Sequence, residues 1–195
     1  MTVTAEDLDV ALVAVDVALQ PVTLRDWSSV PGTGELTAWQ TAEHLGDCLL
    51  SYAAQLATRQ VDGYVRFEAF ADKEATSAQV LEFARAGGGI LAATVRGAPA
   101  DARAYHPSGI ADPEGFAAMG CVEALVHGED IARGLGVALD PPRDVCARVL
   151  ARMFPQVNED VDAWTALLWA TDRVQLPGRG RQTGWRWRGS PLGGD

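Results

Sequence analysis

The sequence predicts an all-α protein built as a helical bundle, on three observations. Apolar residues recur at helical spacing in several separate stretches, most of those stretches open on a recognisable N-terminal cap, and Pro and Gly mark the breaks between them. Thr4, followed by Glu6 and Asp7, marks the first helix start, with acids placed to meet the positive end of the helix dipole. Leu8, Leu12, Val15 and Leu19 then repeat at helical spacing until Pro21 ends the run.

After the loop Val30-Pro31-Gly32-Thr33-Gly34, Thr37 and Gln40 have the spacing of a capping box, in which each side chain satisfies a free amide of the other's residue. A second helix is predicted from there to Thr58, with Leu45, Leu49, Tyr52 and Leu56 on its apolar side. Residues 59–75, with Gly63 and the aromatics Tyr64, Phe67 and Phe70, predict irregular structure packed on the bundle. A third helix begins near Ser77 and carries Val80, Leu81, Phe83, Ile90 and Leu91; Gly87-Gly88-Gly89 within it either breaks it or lets another helix approach closely. No GK[ST] follows those glycines, which argues against a phosphate loop. Asp112-Pro113-Glu114 announces a fourth helix, ending near Gly134 or Gly136. Asp140-Pro141-Pro142 starts another, and Val161 to Ala170 suggests a last one. Residues 1–172 thus form the bundle. In 173–195, period-two alternation at Arg173–Leu176 and Trp185–Arg188, separated by Pro-Gly, predicts a small β-hairpin or tail packed on it.

Composition narrows the function classes. With 16 basic and 26 acidic side chains, the net charge of −10 disfavours sequence-independent nucleic-acid binding, which relies on neutralising phosphates. The apolar runs fall well short of the roughly 20 residues a spanning helix needs, so no membrane partner is expected. The N-terminal residues carry no basic segment and apolar core of an export signal. Cys48, Cys121 and Cys146 are widely spaced and form no CxxC pair, which argues against a disulfide framework and for a reducing cytoplasm.

The candidate chemistry lies in helices two and four. Glu123 and His127 are four residues apart and share one face, in a row with Phe116, Gly120 and Ile131 that looks inward. An inward carboxylate must be hydrogen-bonded, paired or metal-bound to offset its desolvation. His44, on a face with Thr41 and Cys48, supplies a match from the second helix. Two imidazoles and a carboxylate suit Zn²⁺ with an open fourth position, and the same set suits Fe²⁺ or Ni²⁺. Asp130, three residues after His127, is placed to orient that imidazole from behind. His106, in Tyr105-His106-Pro107, is a candidate fourth ligand or substrate contact, although a surface loop histidine is the default for such a position. Cys48 is one turn from His44, though such a cysteine is more often a small buried hydrophobe. The arginines at 173, 179, 181, 186 and 188 alternate with Trp185 and Trp187. That pattern superficially suits single-stranded nucleic acid, but it fits better with Trp packed inward and Arg facing water.

Trp39-Gln40-Thr41-Ala42-Glu43-His44-Leu45-Gly46-Asp47 and Glu123-Ala124-Leu125-Val126-His127-Gly128-Glu129-Asp130 resemble the DinB-like superfamily of metal-binding four-helix bundles. Within it, the chain is most similar to the N-terminal domain of mycothiol-dependent maleylpyruvate isomerase. Tyr105-His106-Pro107 through Asp112-Pro113-Glu114-Gly115-Phe116 and Leu176-Pro177-Gly178 with Gly184-Trp185-Arg186-Trp187 extend the resemblance over most of the chain. It implies metal ligation by His44, Glu123 and His127, a zinc-type ion, and mycothiol as cosubstrate, its sulfur in the open coordination position. A metal-held thiolate is deprotonated near neutral pH and is a nucleophile.

The expectation is therefore a metal-dependent enzyme that uses a small thiol on an electrophilic substrate, as an S-transferase or a cis-trans isomerase. The isomerase resembled has a separate C-terminal domain that contributes to activity, and a short tail follows the last predicted helix here, so the expectation is that groups recognising maleylpyruvate are missing; fold-level similarity does not transfer a substrate. The alternatives are a non-catalytic bundle that binds metal or a small ligand and acts through a partner or a homodimer, and a metal-free bundle whose three residues are core polar contacts.

Overall fold

The computed structural model describes residues 2–157 and 160–193, and among them it is all-helical with no named strand. The helices are α1 (Ala5–Leu19), α2 (Ala38–Thr58), α3 (Ser77–Gly97), α4 (Pro113–Leu135), α5 (Arg143–Met153) and α6 (Ala163–Ala170), with a short 3₁₀ turn at Gln20–Val22 after α1.

Their starts follow local chemistry. Thr4 and Asp7 form a reciprocal capping box on α1, Thr37 and Gln40 on α2, and Thr76 and Gln79 on α3. Asp112 caps α4 with Pro113 in the first turn, and Gly136 ends it in the left-handed conformation at φ 69°. That conformation costs glycine no steric penalty.

The first four helices make the bundle. Each of α1 and α2 packs against both α3 and α4. Leu8 reaches Gly120 and Val15 reaches Gly128, so α1 and α4 run parallel. Trp39 donates to the Ala75 carbonyl while Gly46 and Gly87 meet further along, so α2 and α3 also run parallel, joined by the long crossover at 59–76. Arg85 pairs with Asp16 and Arg96 with Glu6 and Asp9, which sets α3 antiparallel to α1.

The glycines of α3 make no break. Gly87 is buried, and a methyl group there would stand 2.9 Å from the Gly46 carbonyl oxygen. Gly87 and Gly88, which meets the Leu12 side chain, thus serve close helix packing, whereas Gly89 faces open space. Ile90 on the same helix is half exposed. The row predicted on α4 is one part of a larger burial: every residue from Gly115 to Gly128 is buried, because α1, α2, α3 and α5 surround the helix.

The tail corrects the hairpin expectation. Residues 173–176 and 185–188 form no strand, because their backbone groups bond elsewhere. Arg173 N–H donates to Leu168 O, Arg188 N–H to Met153 O, and Gly189 N–H to Ser108 O. Alternation survives without a sheet: Trp185 and Trp187 are half-buried and Arg186 and Arg188 exposed. Arg152, only 1% exposed, clamps this segment by donating to the carbonyls of Arg188 and Gly189 while holding Asp112 at 3.1 Å. No helix among the described residues is long and apolar enough to cross a membrane.

Candidate functional site

α2 and α4 face one another in opposite directions, and the three residues singled out as ligands meet where they face. The His44 ring stands edge-on to the His127 ring, with centroids 5.1 Å apart and planes at 78°. His127 Nε2 lies 2.9 Å from Glu123 Oε2. The other carboxylate oxygen, Oε1, accepts from the Tyr52 hydroxyl at 2.7 Å. One turn beyond His44 on α2 is Cys48, whose Sγ is 3.5 Å from His44 Nε2. Helix α2 therefore presents His44, Cys48 and Tyr52 at successive turns, opposite Glu123 and His127 on α4.

Glu123 and His127 are 9% and 7% exposed, whereas His44 faces solvent. The site is consequently buried on the α4 side and open on the α2 side.

The second nitrogen of His127 is held from the loop before α2. Thr33 Oγ1 lies 2.8 Å from His127 Nδ1 and donates to Asp130 Oδ2 at 2.6 Å. With its own proton committed to Asp130, the Thr33 oxygen accepts from Nδ1–H. Asp130 itself is 3.8 Å from Nδ1, beyond direct hydrogen bonding, so it acts on the ring through Thr33. Arg173 completes the chain with both carboxylate oxygens of Asp130, at 2.9 and 3.3 Å, and its guanidinium lies 5.9 Å from the centre of the Trp185 ring. A cleft of about 550 Å³ opens beside Thr33, Asp130, Arg173 and Arg181.

These contacts set the charge states. Burial works against protonating His127, but the carboxylates of Asp130 and Glu123 overcome it and bring the imidazole to about 9. Burial likewise opposes the Glu123 charge, and the His127 hydrogen bond and charge outweigh it, so that carboxyl lies below its ordinary range. Asp130 is held well below the usual carboxylate range, because the nearby His127 imidazolium and the bonds from Arg173 and Thr33 together exceed the penalty of burial. At neutral pH the core of the site is an imidazolium–carboxylate pair with a proton between His127 and Glu123.

His106 occupies a different place. It is buried, 8% exposed, which overturns the default of a surface loop histidine. Its Nδ1 accepts from the Ser108 backbone N–H at 3.1 Å, and its ring packs near Tyr52, Tyr64 and Trp187. Desolvation lowers it to about 4, so the ring is neutral at pH 7. Through Tyr52 it is one side chain removed from Glu123. Of the tail arginines, Arg173 reaches the site, while Arg181 pairs with Asp172.

Two contributors carry no functional signal in the sequence reading. Tyr52 reads as part of the apolar side of α2, although its two-turn spacing from His44 is a usable signal, and Thr33 lies in a Gly-flanked loop with no periodic cue to its partner. Arg173, one of the tail arginines, finds its acidic partner in Asp130.

No family model, curated protein or solved structure matches the chain. The site must be judged on its own chemistry.

Among the described residues, no three His, Cys, Asp or Glu side chains stand as a group ready to hold a metal ion. His127 and Glu123 are paired with each other at 2.9 Å, and His44 lies 3.5 Å from the Cys48 sulfur. The donor chemistry nevertheless suits a divalent cation. The Thr33–Asp130–Arg173 chain keeps a proton on Nδ1 of His127, so loss of the other proton leaves the Nε2 lone pair directed at Glu123. An imidazole oriented from behind by a carboxylate is the arrangement that metal-ligating histidines use.

Proposed function

We propose that His44, Glu123 and His127 hold a divalent cation, most simply Zn²⁺ with Ni²⁺ and Fe²⁺ as alternatives, and that the protein is a metal-dependent enzyme acting with a low-molecular-weight thiol. The supporting observation is the two-sided grip on His127, with Nδ1 on the Thr33–Asp130 bridge and Nε2 on Glu123, beside the His44 ring. When bound, such an ion lowers the pKa of a coordinated thiol and supplies a nucleophilic thiolate.

The chain's own residues divide the remaining work. Glu123 and His127 bring one negative charge and, once the shared proton leaves, one neutral nitrogen to the buried side. Tyr52 holds the carboxylate orientation by occupying Oε1. Asp130 and Arg173 fix the His127 tautomer. Exposure of His44 leaves the α2 side as the approach for a thiol and an electrophile. The resemblance to the mycothiol-dependent group supports mycothiol as that thiol, with S-transfer or cis-trans isomerisation as the reaction. A cytoplasmic setting agrees with three free cysteines.

The proton-held pair favours one rival, a bundle that carries no metal and uses Glu123 and His127 as a buried ion pair. Elemental analysis of wild type and His127→Ala, both purified without chelator, separates the readings. We expect about one equivalent of metal in wild type and loss in the variant. A metal-free wild type that also fails to take up added Zn²⁺ would leave the ion-pair reading standing. Consumption of mycothiol with small electrophiles, maleylpyruvate included, then tests the enzyme itself; a loaded protein inert across that panel would point to a binding bundle acting through a partner or a homodimer.

A further inference from the structure

The four donors across the α2–α4 seam are arranged as two matched pairs. On α4, Glu123 and His127 are one turn apart; on α2, His44 and Cys48 are one turn apart. The helices run in opposite directions, with His44 against His127 and Tyr52 against Glu123, so Cys48 falls between those two contacts on the same face of α2. Cys48 is half-buried, while Cys121 and Cys146 are buried elsewhere in the core. Its Sγ stands 3.5 Å from His44 Nε2. That separation matches the edge of a tetrahedron with metal–sulfur near 2.3 Å and metal–nitrogen near 2.0 Å.

We infer that Cys48 is the fourth protein ligand of the cation held by His44, Glu123 and His127, closing the site with the chain's own sulfur when no external thiol is present. The inference rests on the metal reading above and adds to it a specific occupant for the position left open there. Its donor set is two imidazoles, one carboxylate and one thiolate, with the thiol proton released to solvent on coordination. Thiolate and imidazole together favour Zn²⁺ over the harder Mg²⁺ and Ca²⁺. An external thiol then competes with Cys48 for one position, so the protein's own cysteine gates access to the ion.

Cobalt(II) reports sulfur ligation directly and independently of any turnover. The full-length protein, stripped with chelator and titrated with Co²⁺, should develop both visible ligand-field bands and a near-ultraviolet sulfur-to-cobalt charge-transfer band. Cys48→Ser should keep the ligand-field bands, lose the charge-transfer band and bind Co²⁺ at least about tenfold more weakly. Adding 2-mercaptoethanol to that variant should restore the band. Ligand-field bands without a charge-transfer band in wild type would overturn the role of Cys48 while leaving the three-residue site intact. A charge-transfer band that persists in Cys48→Ser without added thiol would overturn it equally. Absence of every cobalt band in wild type would overturn both readings, and His127→Ala, with its fold checked by circular dichroism, marks that baseline.

Discussion

Thr33 shows how one hydroxyl decides the state of a buried imidazole. It spans the 3.8 Å gap that separates Asp130 from His127, accepting from the ring and donating to the carboxylate. Thr33→Val keeps the shape and removes the bridge. We expect it to weaken Zn²⁺ binding by roughly 10–100-fold, as measured by competition with a fluorescent chelator, because partners behind a ligating histidine carry costs of that order. An unchanged affinity would show that Asp130 needs no intermediary. His106 allows a test by pH. Its folded value near 4 lies below the ordinary histidine value of about 6.5. Below pH 6.5 the unfolded chain takes up a proton that the folded ring refuses, so the contribution of the neutral ring is whole above that pH and is lost as pH falls through about 4. Over that window stability should fall by up to about 1.4 kcal/mol per pH unit on this account alone. Urea unfolding of wild type and His106→Gln at several pH values isolates the difference, which should shrink on acidification.

Helix α3 carries opposite signs within one triplet of glycines. At Gly87 a methyl group would meet the Gly46 carbonyl oxygen, and that backbone contact can relax only if α2 and α3 separate. Gly87→Ala should destabilise by about 1–3 kcal/mol, the usual cost of overpacking a tight interface. Gly89 faces open space in the same helix, and nothing stands within 4 Å of an added methyl. Gly89→Ala should stabilise by roughly 0.5–1 kcal/mol, because alanine loses less backbone entropy in a helix. Urea midpoints of the two variants would test both signs, and equal shifts would contradict the packing described. The same helix displays the strength of local signals. Thr76 and Gln79 repeat the box made by Thr37 and Gln40, and both helices begin where those residues require.

Across the whole molecule, the tail is joined to the bundle by Arg152 more than by any regular element. Its guanidinium is 1% exposed and bonds the carbonyls of Arg188 and Gly189 together with the Asp112 carboxylate, which itself caps α4. Removing one partner from a buried charged network costs on the order of 3–5 kcal/mol, since the groups left behind stay desolvated. Arg152→Met should lower stability on that scale. It should also expose the tail, so that trypsin cuts at Arg179, Arg181 and Arg186 faster than in wild type, as followed by mass spectrometry. Destabilisation without faster tail cleavage would mean that the tryptophans alone seat the segment.

The positions of the helices and the capped starts of α1, α2 and α4 were legible in the chain, because caps, proline in the first turn and apolar periodicity act within a few residues of each other. Glu123 with His127 was legible for the same reason: four residues on one helix place two side chains together in any fold. Their meeting with His44 required α2 and α4 to run antiparallel, a choice made by glycine contacts and by the long crossover at 59–76. Thr33, Tyr52 and Arg173 joined the site only through that arrangement, since a hydrogen bond between residues 94 positions apart has no local signature. The tail shows the limit from the other side. Alternation along 185–188 correctly separated inward Trp from outward Arg, but whether those residues paired as strands depended on where their backbone groups found partners, and the bundle offered them first.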